Sequence, residues 1–124
     1  MSKILLAEDN EDYCRILIAL FQRNAYEVIR VKSGIDAYEY IKNEIIKPNL
    51  LITDVMMPGM SGFELLAKLK EDGIIIPSII LTSKQREEDV LRGLEYGAVD
   101  YITKPFSPAV VLARVKLALA KTPS

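Results

Sequence analysis

Four short apolar runs in this chain each end on residues able to hold a cation or a phosphoryl group. Leu50-Leu51-Ile52-Thr53 runs into Asp54, and Ile4-Leu5-Leu6-Ala7 runs into Glu8-Asp9. Ser78-Ile79-Ile80-Leu81 runs into Thr82-Ser83, and Tyr101-Ile102-Thr103 into Lys104-Pro105. Carboxylates gathered at one edge repel, and each has its pKa raised unless a cation intervenes. Oxygen donors without histidine or cysteine select a hard ion, and Mg2+ suits one or two carboxylates completed by water. Lys104 adds a positive charge and Thr82 a hydroxyl. Carboxylate, divalent ion, lysine and hydroxyl are the parts that stabilise a phosphoryl group in transfer. An aspartate can itself be the nucleophile, giving an acyl phosphate.

The elements that must position these groups follow from the pattern between the runs. A short continuous apolar run bounded by turn signals predicts a buried parallel strand. After Glu8-Asp9, Asn10 caps a helix with Ile16, Leu17, Leu20 and Phe21 as its inner stripe, ending at Asn24. Tyr26 to Val31 predicts a strand. Ser33-Gly34 opens a helix through about Glu44, with Ala37, Tyr40 and Ile41 facing inward, and Pro48 stops the chain before the Asp54 strand. Ser61 to Glu71 predicts a third helix carrying Phe63, Leu65, Leu66 and Leu69, turned by Asp72-Gly73. Arg86 to Tyr96 predicts a fourth, ended by Gly97 where a left-handed C-cap is favoured. A last strand spans about Val99 to Thr103, and Ser107-Pro108 starts a fifth helix. Five strands alternating with five helices predict an α/β, doubly wound single domain over residues 1–124, its parallel sheet covered on both faces. Ligands of such sheets bind beyond the carboxyl ends of the strands. With the first and third strands adjacent, Glu8, Asp9 and Asp54 are expected to converge there.

Composition narrows the field. A length of 124 residues suits one domain with a real core. Sixteen basic against seventeen acidic side chains give a net charge of -1, which offers no electrostatic case for direct nucleic-acid binding. The single cysteine, Cys14, excludes an intramolecular disulfide and lies in an ordinary structural context. With no signal peptide and no long apolar span, a cytoplasmic protein without a membrane contact is expected. The absence of histidine excludes Ser-His and Cys-His catalytic units and nearly excludes zinc.

The chain resembles a receiver domain of two-component response regulators over essentially its whole length. The resemblance rests on Glu8-Asp9, on Asp54 with Met57-Pro58-Gly59 and Gly62, on Leu81-Thr82, and on Asp100-Tyr101-Ile102-Thr103-Lys104-Pro105-Phe106. It implies a flavodoxin-like sheet of order 2-1-3-4-5, as in chemotaxis regulators. It further implies that Asp54 is the phosphoacceptor, attacking a phosphohistidine on a sensor histidine kinase or phosphotransfer protein. Asp9 is similar to the direct magnesium ligand, Glu8 to a neighbour acting partly through water, and Met56 would lend its backbone carbonyl. Lys104 would pair with Asp54 or with the phosphate, Thr82 would hydrogen-bond that phosphate, and Tyr101 would follow Thr82 inward as a switch. A cis Lys104-Pro105 bond is implied as well. The domain is thus expected to be a phosphoacceptor with self-catalysed transfer, not an enzyme. Met56 and Lys84 flank the path of the hydrolytic water in this family, and imply slow autodephosphorylation.

Plainer roles stand beside these. Asp54 could cap the following turn, Asp9 the first helix, and Thr82 a strand end, while a strand tyrosine such as Tyr101 is commonly core. The fourth helix, last strand and last helix resemble those of receivers that precede winged-helix DNA-binding domains. Those receivers dimerise through this face. Leu94 and Ala113 supply an apolar patch here, with an Asp100–Arg114 pair at its rim. Val90 and Val110 stand where the family pattern has opposite charges. A weak homodimer strengthened by phosphorylation is expected. The chain would be either a stand-alone receiver or a fragment cut at Lys121-Thr122-Pro123-Ser124. Two other classes share parts of the pattern. A phosphohydrolase using an aspartyl phosphate would want a second aspartate at the Met56 position. A flavin module would want a Ser/Thr/Gly-rich loop where Glu8-Asp9-Asn10-Glu11-Asp12 would repel a phosphate.

Overall fold

Alternation of side chains along the central strands divides the core into two layers. In the computed structural model, which describes residues 1–121, β1 spans Lys3–Ala7. Of the expected cut site Lys121-Thr122-Pro123-Ser124, all but Lys121 lies outside the described residues. Successive strand side chains point to opposite faces, so Ile4 and Leu6 join one apolar cluster and Leu5 and Ala7 the other. β3 (Leu50–Thr53) and β4 (Ser78–Thr82) behave alike, with Ile52 and Leu81 on the first face and Leu51 and Ile80 on the second. Both faces of these strands are buried, which is why they read as unbroken apolar runs. Edge strands β2 (Glu27–Val31) and β5 (Asp100–Thr103) are only partly buried. The sheet is parallel throughout, in the order β2-β1-β3-β4-β5 that the resemblance implied.

Helices cover the two faces. α1 (Glu11–Arg23) and α5 (Pro108–Ala120) pack on the first, through Leu17, Phe21, Val111 and Val115. α2 (Gly34–Asn43) and α3 (Gly62–Glu71) pack on the second, through Ala37, Ile41, Leu65 and Leu69. Their starts are chemically marked. Asn10, Ser33 and Ser107 each accept a backbone N–H from the first turn, and Ser61 with Glu64 forms a reciprocal capping box. α4 (Glu87–Glu95) has no side-chain cap and buries only Gly93. A Cβ at Gly93 would stand 2.7 Å from Ile80 Cδ1 and 3.1 Å from Tyr101 Cδ2, so glycine lets α4 lie close on β4 and β5.

Several expectations move by small amounts. The inner stripe of α1 is Cys14, Leu17 and Phe21, at spacings of three and four. Ile16, expected inside, is 46% exposed, because it sits about 100° around the helix from Leu17, and Leu20 is half-buried. Tyr40 is half-buried beside Ala37 and Ile41. Tyr26 falls just outside β2, after a turn in which Ala25 takes a left-handed φ of 65°. Arg86 and Tyr96 flank α4 as its caps, and Val99 precedes β5. Gly97, with φ 97°, ends α4 as expected.

Candidate functional site

Three of the residues singled out by their position after a strand, Glu8, Asp54 and Lys104, are each held by one further rung of the sheet ladder. Glu8 N–H donates to the Val31 carbonyl at 3.0 Å, Asp54 N–H to the Ala7 carbonyl at 3.1 Å, and Lys104 N–H to the Thr82 carbonyl at 2.8 Å. The three backbones are thereby fixed at one edge, where the strand order reverses between β1 and β3. Lys104 reaches from β5 across the end of β4. Its ammonium donates to Asp54 Oδ2 at 2.7 Å and also to Glu8 Oε1. The other Asp54 oxygen, Oδ1, accepts the Met56 N–H at 3.2 Å. Asp54 is 8% exposed, Glu8 2% and Lys104 7%, so this is a desolvated charge cluster. The Lys104–Pro105 peptide bond is cis.

Burial pushes the Glu8 carboxyl above its ordinary value; Lys104 and the Asn10 N–H pull the other way without cancelling the shift. Burial alone would lower the Lys104 ammonium, but its hydrogen bonds to Asp54 and Glu8 outweigh that and hold it above the usual range. Glycine closes the acceptor loop: the Gly62 N–H donates to the Val55 carbonyl at 2.9 Å, and a Cβ there would meet the Asp54 carbonyl oxygen at 2.1 Å.

The expected convergence of three carboxylates is corrected in one respect. Among the described residues, no three acidic, histidine or cysteine side chains group as a metal cage. Glu8 turns inward onto Lys104, whereas Asp9 is exposed and makes no hydrogen bond or ion pair among the described residues. Adjacent residues at the end of a strand point opposite ways, and the sequence pair Glu8-Asp9 did not say which would take the inner place. Asp9 instead lines a cleft of about 720 Å³ with Met56, Pro58, Phe63, Lys84 and Arg92. Asp54 lies just behind that cleft, on the Met56 N–H.

A chain of contacts leads from the site to β5. Thr82 is fully buried, and its Oγ1 accepts the Lys84 N–H at 3.4 Å. The Lys84 carbonyl accepts the Tyr101 hydroxyl at 2.7 Å. Burial, then the charges of Asp89 and Asp54, push the Tyr101 phenol up to about 12, so it remains a donor.

A family model described as "Response regulator receiver domain" matches residues 4–116. This chain belongs to that family. The receiver is 41% identical over 120 residues to the alkaline phosphatase synthesis transcriptional regulatory protein PhoP of Bacillus subtilis, covering 97% of this chain and 49% of that one. It is also 41% identical over 125 residues to the phosphate regulon transcriptional regulatory protein PhoB of Pseudomonas aeruginosa, covering 98% and 54%. The chain thus spans about half the length of these curated relatives. Among solved structures it is similar to the Francisella response regulator 1452 receiver domain, with TM-score 0.93, 29% identity, and 99% and 100% of the two chains covered. The BeF3-activated receiver domain of Klebsiella pneumoniae RstA matches with TM-score 0.88 and 34% identity over 97% and 100%.

Two contacts of the receiver's lysine were not expected from sequence. The Tyr13 ring lies 4.3 Å from the Lys104 ammonium, and Gln85 Nε2 donates to the Lys104 carbonyl at 3.2 Å. An aromatic in the first turn of the helix after Glu8-Asp9 was the available signal for Tyr13; Gln85 had none. On the α4–β5–α5 face, Leu94 is 46% and Val110 45% exposed, and Ala113 is exposed, as a docking patch needs. Val90 is half-buried and contributes less. Arg114 Nη1 donates to both Asp100 oxygens at 2.7 and 2.8 Å within the same chain. Among the described residues, no helix is long and apolar enough to cross a membrane.

Proposed function

We propose that residues 1–124 act as one phosphoacceptor domain of a longer regulator, taking a phosphoryl group onto Asp54 from a histidine kinase or phosphotransfer protein in the cytoplasm. The observation that carries this is the Asp54 carboxylate, oriented on one oxygen by Lys104 and on the other by the Met56 N–H behind an open cleft. An Asp54 oxygen forms the new P–O bond as the P–N bond of the donor phosphohistidine breaks, and the electron pair leaves on the imidazole nitrogen. Lys104 stays paired with the acceptor and neutralises charge on the transferred group. Glu8 and Asp54 share the one ammonium, and Asp9 stands exposed on the adjoining cleft, an all-oxygen donor set with net negative charge, which fits Mg2+. Asp9, Asp54 and the Met56 carbonyl would hold the ion, with Glu8 acting through water. When bound, Mg2+ supplies charge neutralisation at the phosphoryl oxygens.

Incubation with magnesium and a small acyl-phosphate donor is expected to add one phosphoryl group by intact mass. The adduct should vanish with chelator and in Asp54→Ala. An adduct that survives both conditions would defeat the reading.

The switch follows from the contact chain. A phosphoryl group on Asp54 would accept the Thr82 hydroxyl proton and draw that side chain toward it, stretching the 3.4 Å contact in which Thr82 Oγ1 now accepts the Lys84 N–H. Displacing Lys84 removes the acceptor of the Tyr101 hydroxyl and frees that side chain against Gly93 of α4. The exposed patch around Leu94, Val110 and Ala113 then supports a weak homodimer strengthened by phosphorylation. Sedimentation with a phosphate mimic is expected to move toward dimer, and a profile unchanged by the mimic would refute this.

Met56, 61% exposed, offers no side-chain hydrogen bond to an attacking water at the mouth of the site, and Lys84 covers the other side. The acyl phosphate is therefore long-lived. Met56→Asn should speed its loss by about tenfold, the worth of one well-placed hydrogen bond. Equal decay curves for the two proteins would remove this account of the lifetime.

A further inference from the structure

We infer that Arg30, on the edge strand β2 and outside the cleft, is a positioning residue that sets the direction of Glu8 and Asp9. The inference rests on the magnesium and Asp54 reading above and adds a residue to it.

Glu8 is tied to β2 twice. Its N–H donates to the Val31 carbonyl, and its own carbonyl accepts Arg30 Nε at 2.9 Å. The same carbonyl accepts the buried Cys14 thiol at 3.4 Å. Arg30 Nη1 meanwhile reaches Glu11 Oε1 at 3.1 Å, in the first turn of α1, so one guanidinium clamps the loop at both ends. Between the clamped ends, Glu8 Oε2 accepts the Asn10 N–H at 3.1 Å, while its Oε1 takes Lys104. With the Glu8 peptide fixed, its side chain goes inward to the lysine and the next side chain, Asp9, goes outward to the cleft. If the loop were free to turn, either acid could face the lysine.

Stability alone does not explain the arginine well. Its Nη2 is buried without a hydrogen-bond partner among the described residues, which costs free energy a shorter or neutral side chain would not incur. A purely electrostatic role predicts the wrong sign for function, since a cation beside the acidic loop opposes a divalent ion. Removing Arg30 should then tighten magnesium binding. Positioning predicts the reverse.

The test is Arg30→Met, which keeps the apolar stem and removes every donor, with Arg30→Lys as a second variant that keeps the charge and loses the fork. Magnesium is titrated calorimetrically into each protein, and amide exchange at Asn10 is followed in metal-free protein. Arg30→Met is expected to weaken magnesium binding by about tenfold, the effect of losing an outer-shell partner. Asn10 should exchange faster in Arg30→Met than in wild type, while a core amide such as Leu51 is unchanged. Arg30→Lys should fall between wild type and Arg30→Met in both readings, and it decides the matter if Arg30→Met does not fold. Tighter or unchanged magnesium binding with unchanged Asn10 exchange, even alongside a lower melting temperature, would overturn the proposal. Wild-type protein that binds no magnesium would instead bring down the functional reading. The metal-free exchange at Asn10 would still decide whether Arg30 sets the loop.

Discussion

Lys104→Met is expected to destabilise the fold by about 3–5 kcal/mol, the usual cost of stripping one partner from a buried ion pair. Glu8 and Asp54 are then left facing each other in a site where neither is more than a tenth exposed. Against a whole-domain stability of about 5–15 kcal/mol, that loss is large. It should also depend on pH in a definite direction. In the wild type, Glu8 already titrates above its ordinary 4.5 because it is buried, even with the lysine beside it. Since its folded value lies above its unfolded one, Glu8 favours the fold fully below pH 4.5 and progressively less as pH climbs through the folded value. Without the ammonium that penalty grows, so the gap between variant and wild type should widen as pH is raised from 4.5, the ordinary value, into the neutral range. Lys104 itself, held above 10.5, stays charged over this window and does not reverse the trend. Magnesium should restore part of the loss, and should stabilise Lys104→Met more than wild type, by ligand linkage. Denaturant titrations at the two ends of this range, with and without magnesium, measure all of this. A variant as stable as wild type at the higher pH would mean the lysine is not the counter-charge of the site.

Asp9→Asn is expected to do the opposite: little to the fold and much to the ion. Asp9 is exposed and bonded to nothing among the described residues, so its stability cost should stay within about 0.5 kcal/mol. It is, however, the carboxylate left free when Glu8 is engaged with Lys104. Losing it should weaken magnesium binding by at least the ~100-fold upper end of what an outer-shell loss costs. Phosphorylation at fixed magnesium should slow in proportion, and recover when magnesium is raised. Unchanged magnesium affinity in Asp9→Asn, beside weakened affinity in Glu8→Gln, would exchange the roles given to the two acids.

The contrast between these two residues marks how far the amino-acid pattern alone reaches. Strands were legible because β1, β3 and β4 are buried on both faces and carry unbroken apolar runs. The residue after each run was legible as functional because a parallel sheet leaves its carboxyl edge open, and one backbone bond extends the ladder to Glu8, Asp54 and Lys104. Which way each side chain turns was not. Glu8 and Asp9 differ by one methylene in the sequence, and what separates the inner acid from the outer one is a set of contacts to Glu8 from Val31, Arg30 and Lys104, all distant in the chain. Helix faces were legible to within one position: Leu17 and Phe21 were expected inside, yet Ile16 is exposed and Cys14 takes its place. An apolar side chain on the helix border does not announce its side. The Lys104 contacts with Tyr13 and Gln85 join residues 91 and 19 positions apart, a separation over which local pattern carries no information.

Of the three neighbouring acids, Asp54 alone is expected to carry the phosphoryl group. Borohydride reduces an acyl phosphate to the alcohol, so an aspartyl phosphate becomes homoserine at the residue that held it. The phosphorylated protein would be reduced, digested and sequenced by mass spectrometry across Glu8, Asp9 and Asp54. Homoserine at position 54 alone, dependent on magnesium, is the predicted result. Reduction product at Glu8 or Asp9, or none in protein that has gained a phosphoryl mass, would contradict the account.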